Sequence, residues 1–109
     1  MLPGRALVLG LDGADWDVLQ PLAAAGRLPH LAAWLRDGAA AALPSTTPPM
    51  SFPAWSSFAT GLAPGRHGIF DFTQKQHGAY RIRFVNAADR AGEPFWMRAS
   101  RAGRRVLCL

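Results

Sequence analysis

The sequence predicts an α/β fold with a largely parallel central sheet flanked by helices. Three observations carry this expectation. Residues 6–11, Ala6-Leu7-Val8-Leu9-Gly10-Leu11, have no polar side chain, as in a central strand covered on both faces. A second buried strand is expected over residues 105–109, whose last four residues are all apolar. Between the two, segments of helical spacing alternate with glycine and proline stops, the strand–helix–strand rhythm of a parallel sheet.

The elements follow in order. After the first strand, Asp12-Gly13-Ala14-Asp15 makes a turn, and Asp15 or Asp17 caps the next helix. Trp16, Leu19, Leu22 and Ala23 share one face of that helix, which Gly26 ends. A second helix is expected over residues 29–36, with Leu31, Trp34 and Leu35 inward and Gly38 as its stop. Residues 39–43 are read as a short strand, although four of them are alanine, a poor strand former. Residues 44–49 hold three prolines and three hydroxyl side chains and predict a loop. Pro53 suits the first position of a new helix, which would carry Trp55, Phe58 and Ala59 into the core and end at Gly61. Residues 62–68 read as loop, and 80–85 alternate like an exposed strand. A last helix is expected over 93–101, ending at Gly103. Without repeats, low-complexity tracts or a clear boundary, residues 1–109 read as one incomplete domain.

Composition narrows the class. Half of the 109 residues are hydrophobic and 17% are charged, which excludes a chain disordered throughout. The net charge of +5 comes almost wholly from arginines scattered between Arg5 and Arg105. Only residues 98–105 are densely basic, and they fall on a predicted helix and turn, so no nucleic-acid partner is expected. A positive field also suits an anionic substrate. The single cysteine, Cys108, excludes an intrachain disulfide, and its apolar neighbours predict a buried thiol. The first apolar stretch breaks at Asp12, too soon for a signal peptide, and no run nears the roughly 20 apolar residues of a membrane span. A cytoplasmic protein without membrane contact is expected.

Two residues invite chemistry. Asp12 would stand at the carboxyl end of a parallel strand, where ligands gather, and a carboxylate there binds a hard or borderline cation. The same aspartate could simply organise the turn. Ser51, two residues before Pro53, would stand at a helix N-terminus, where the helix dipole favours a phosphate and a developing alkoxide. A neighbouring metal would lower the hydroxyl's pKa further, yet an ordinary N-cap serine fits the same local sequence. Ser45, Thr46 and Thr47 compete as hydroxyls but lack such a helix end. Among the histidines, His67, between Arg66 and Gly68, is the one expected near a site, or else fixing its turn. His30 is expected on a helix surface and His77 in an exposed polar turn. No pair has the spacing of a metal-binding His-x-x-x-His.

In their order, Gly10-Leu11-Asp12-Gly13, Pro29-x-Leu31, Ser45-Thr46-Thr47-Pro48, Ser51-Phe52-Pro53, Thr60-Gly61 and Pro64-x-x-His67-Gly68-Ile69 form a pattern. The pattern resembles the alkaline phosphatase superfamily, closest to its type I phosphodiesterase/nucleotide pyrophosphatase branch. The resemblance runs over about residues 6–72, with weaker similarity at Pro94-Phe95-Trp96 and Gly103-Arg104-Arg105-Val106. It implies the N-terminal part of an alkaline-phosphatase-like sandwich, and hydrolysis of a small-molecule phosphate ester. Two divalent cations, zinc first and manganese or magnesium as alternatives, would be bridged by the substrate phosphate. Asp12 matches the family's first metal-ligand aspartate. Ser51 matches the nucleophilic Thr or Ser that forms a covalent phospho-enzyme and also touches a metal. His67 matches a motif histidine that is structural to its loop.

Two departures stand out. Nucleotide pyrophosphatases commonly place an asparagine shortly after His-Gly-Ile, to hold a phosphate oxygen, and here Phe72 stands at about that place. Two metals also need about six protein ligands, of which Asp12 and Ser51 are two, so this chain alone is expected to be inactive. A second enzyme reading, a haloacid-dehalogenase-like phosphatase with Asp12 as nucleophile, wants another aspartate where Ala14 stands. The third reading is a non-catalytic remnant that associates with itself or a partner through an open sheet edge.

Overall fold

The computed structural model describes residues 4–76 and 78–109, which divide into two units, Met1–Leu43 and Pro44–Leu109. His77 lies outside the described residues.

In the first unit, Asp12 and Gly13 form the expected turn: the Ala14 N–H donates to the Leu11 carbonyl at 3.4 Å, and Gly13 takes φ 70°. Of the two cap candidates it is Asp15 that caps α1 (Trp16–Ala24), its carboxylate accepting from the Asp17 N–H at 2.9 Å. The anticipated face is the one covered, with Ala23 buried and Trp16, Leu19 and Leu22 half-buried. Beyond α1, the Gly26 N–H reaches the Ala23 carbonyl and the Arg27 N–H the Leu22 carbonyl, the paired closure that a left-handed glycine permits. Next, α2 (Pro29–Asp37) starts on its proline and packs on α1. Leu31 and Leu35 turn inward as expected, but Trp34 is 62% exposed. One partner helix covers only one row of a short helix, and the row through 31 and 35 is the row it covers. At Gly38 a side chain would meet the Trp34 carbonyl oxygen at 2.7 Å, which explains a glycine at this stop.

Residues 6–11 and 39–43 depart from expectation. Neither forms a sheet ladder, and Leu7 is 82% exposed. A parallel strand owes its stability to flanking strands that satisfy its backbone and to helices on both faces. Among the described residues of this unit there is no strand to pair with.

The second unit opens with the expected loop, in which the Thr46 hydroxyl donates to the Pro48 carbonyl at 2.8 Å. Helix α3 (Ser51–Thr60) starts two residues before Pro53, which falls at its third position. That is still the first turn, where a missing N–H breaks no intrahelical bond. Its buried face also differs from the anticipated one. Pro53, Ser56, Ala59 and Thr60 are buried, whereas Trp55 and Phe58 stay partly exposed. The small residues admit close approach of α4 (Pro64–His67), a single turn within the stretch read as loop. The aromatic rings instead meet each other edge to face, Trp55 on Phe58 at 5.7 Å and Phe58 on Phe95 at 5.8 Å. Gly61 closes α3 at φ 70°, and Gly68 closes α4 at φ 80°.

The sheet among the described residues is an antiparallel hairpin of β1 (Thr73–Lys75) and β2 (Ile82–Phe84), in the register Thr73↔Phe84, Gln74↔Arg83, Lys75↔Ile82. A short 3-10 turn, Ala87–Asp89, follows with a reciprocal cap: the Asn86 side chain accepts from Ala88, and the Asp89 carboxylate accepts from the Asn86 N–H. Arg83 grips the Asp89 carboxylate with two guanidinium N–H groups, one at 2.8 Å. This grip, with the Asn86 N–H, holds the carboxyl down at about 2. Helix α5 (Phe95–Arg101) matches the expected last helix and packs on α3. The segment expected as a buried strand at 105–109 forms no ladder, and Cys108 is exposed rather than buried. The described chain is thus a mixed helical and strand structure, and none of its helices is long and apolar enough to cross a membrane.

Candidate active site

Asp12 stands, exposed, in the turn that leads into α1. Ser51 and His67 belong to the second unit. Ser51 is the first residue of α3 and half-buried, and Met50 before it gives the helix no side-chain cap. A ten-residue helix directs its positive dipole end at this position, which suits an anionic group. Of the competing hydroxyls, Thr46 is engaged within its own loop. His30 is exposed near the start of α2, as anticipated.

His67 is the best-defined group in the region. Its side chain is wholly buried, with 0% exposure. One ring nitrogen, Nδ1, accepts the Ile69 backbone N–H at 3.1 Å, so the ring's own proton resides on Nε2. Nε2 then donates to the Ser57 hydroxyl oxygen at 2.9 Å, and the Pro53 carbonyl lies near enough to favour the ring's charged form. This tautomer excludes Ser57 as a nucleophile served by His67, because the nitrogen facing the hydroxyl already holds its proton. The sequence reading missed Ser57: ten residues from His67, it has no local spacing that signals the pair.

Burial lowers the His67 pKa, the Pro53 carbonyl opposes that shift, and the nearby Arg90 charge adds to it. The unfolded chain therefore binds a proton that the folded chain refuses, and the sign follows. His67's contribution is complete above the ordinary histidine range of about 6.5 and shrinks as pH falls below it. The urea midpoint is expected to drop between about pH 8 and pH 5, and a His67→Gln variant to flatten that drop. Asp89 acts in a separate window: its depressed pKa gives stability that is lost only as pH falls from the usual carboxylate range toward about 2.

Phe72 packs its ring on Phe52, the residue after Ser51, with centroids 4.3 Å apart and a tilt of 44°. The position where nucleotide pyrophosphatases commonly place a phosphate-binding asparagine thus holds a ring packed on Phe52 instead. For metal binding, the Asp12 carboxylate and the Ser51 hydroxyl are oxygen donors of the kind divalent cations accept. Among the described residues, no group of three or more His, Cys, Asp or Glu side chains could hold an ion. The chemistry of the two donors fits such a cation, and their number completes no site.

Neither a comparison with curated proteins nor one with solved structures returned a match. The family profile of type I phosphodiesterase / nucleotide pyrophosphatase matches residues 6–109, nearly the whole chain. The match displaces the haloacid-dehalogenase-like reading, in which Asp12 would be the nucleophile. The turn at Asp12, the helix that begins at Ser51 and the His67-Gly68 closure all fall inside the matched span, and the chain belongs to this family of hydrolytic enzymes.

Proposed function

We propose that residues 1–109 form the front of a single hydrolase domain that cleaves phosphoric esters of small molecules, with Ser51 as nucleophile. The family match over residues 6–109 carries this reading, and the place of Ser51 at the head of α3 supports it. The Ser51 hydroxyl attacks phosphorus, the bond from phosphorus to the departing alcohol oxygen breaks, and a phosphoserine forms that water then hydrolyses. The N-terminal end of α3 favours the phosphate's negative charge through the attack. Asp12 and Ser51 would hold divalent cations, zinc first, whose chemistry is to polarise the phosphoryl oxygens and lower the hydroxyl's pKa. Two cations need more ligands than these two residues supply. With Phe72 in the place of a polar donor, the esterified group need not be a nucleotide.

The covalent step is directly testable in the protein expressed from its whole gene. Acid quenching during turnover of bis-para-nitrophenyl phosphate, followed by peptide mass spectrometry, is expected to find phosphate ester on Ser51. Steady turnover with label on no serine, or on another one, would remove Ser51 from the role.

A further inference from the structure

We infer that His67 and Ser57 are positioning residues for Ser51, a clasp that fixes the first turn of α3. This rests on the reading of Ser51 as nucleophile. The clasp is built on one edge of the helix. Pro53 and Ser57 stand four residues apart, one above the other; the His67 ring donates to the hydroxyl of the second, and the carbonyl of the first acts electrostatically on the same ring. Pro53 is two residues from Ser51 and itself fully buried, so its carbonyl reports the placement of that turn.

The far side of the histidine is anchored as firmly. Nδ1 is held by the Ile69 N–H, the His67 N–H by the Ala63 carbonyl, and the His67 carbonyl by the Ala91 N–H at 2.9 Å. The loop that supplies Ala91 also presses on the other end of α3. At Gly92 a side chain would meet Leu62 Cδ1 at 2.5 Å and Thr60 Cβ at 3.4 Å. With φ 90° and that crowding, only glycine lets the loop lie so close. The helix is therefore braced at its last turn by packing and, through Ser57 one turn above Pro53, by a neutral imidazole. A hydroxyl that must meet phosphorus in line gains from such bracing, because a displacement of about 1 Å costs on the order of a hundredfold in rate.

Ser57→Ala tests this with little loss of volume, in the full-length enzyme with added zinc and bis-para-nitrophenyl phosphate. The expected result is a fall in kcat of about tenfold or more with KM within about twofold, and recovery to within about threefold in Ser57→Thr, which restores the hydroxyl. A merely structural serine would instead lower the folded fraction and leave kcat per folded molecule unchanged. If Ser57→Ala does not fold, Ser57→Cys, which keeps the size and offers only a weak acceptor, is read by the same thresholds. An inactive Ser51→Ala beside an unaffected Ser57→Ala would overturn the clasp alone. Turnover that survives Ser51→Ala would overturn the nucleophile reading and the clasp with it.

Discussion

Replacing His67 with alanine is expected to destabilise the second unit by about 3–5 kcal/mol, the range for truncating a large buried side chain that is also hydrogen-bonded. Two losses add. The imidazole leaves a cavity among Pro53, Ser57 and Ile69, which α3 and α4 cannot collapse without breaking the backbone bonds that hold α4. The buried Ile69 N–H also loses its acceptor. A change of this size is a large part of what an ordinary small domain possesses. Urea unfolding followed by tryptophan fluorescence, with Trp55 and Trp96 as reporters in the same unit, measures it. His67→Gln, which keeps one donor and one acceptor, is expected to lose less. His30→Ala, at an exposed position, is expected to stay within about 0.5 kcal/mol of the parent. A His67→Ala midpoint indistinguishable from that of His30→Ala would falsify the central place given to the imidazole.

What the sequence made legible was mostly local. A capping aspartate at 15 or 17, Gly26, Gly38, Gly61 and Gly103 as stops, and the helices they bound all follow from short-range rules of hydrogen-bond closure. The inward set Trp16, Leu19, Leu22 and Ala23 was legible for the same reason, since helical period needs only neighbours in sequence. The errors are those of partnership. Trp55 and Phe58 looked like core because they are large, but the small side chains of Ser56 and Ala59 set where α4 lies closest. Residues 6–11 looked like a buried strand because they are apolar, but burial and pairing come from elements that the described residues do not provide. Strand β1, Thr-Gln-Lys, was missed because it carries no apolar alternation and exists through its pairing with β2. Of the candidate residues, Asp12, Ser51 and His67 came from motif order, while Ser57 emerged only when the fold brought α3 beneath His67.

Ser51→Ala is expected to lower phosphoryl transfer by at least about a thousandfold while metal affinity stays within about threefold of the parent. Asp12→Asn is expected to weaken affinity by about tenfold or more and to slow turnover with it, because the amide keeps the side chain's shape but loses the charge that holds a cation. Activity assays and zinc titration of the same full-length preparations separate the two patterns. The N-cap residue of α3 is Met50, and Ser51 is the first residue within the helix. Alanine is the better helix former at a first-turn position. At Asp12, asparagine is at home in a turn followed by a left-handed glycine, here Gly13 at φ 70°. Loss of rate in these two variants thus reads as loss of a nucleophile in one and of a charge in the other. Equal losses of affinity in both would instead assign Ser51 to metal binding alone, and the attacking oxygen would have to come from elsewhere, with water first in line.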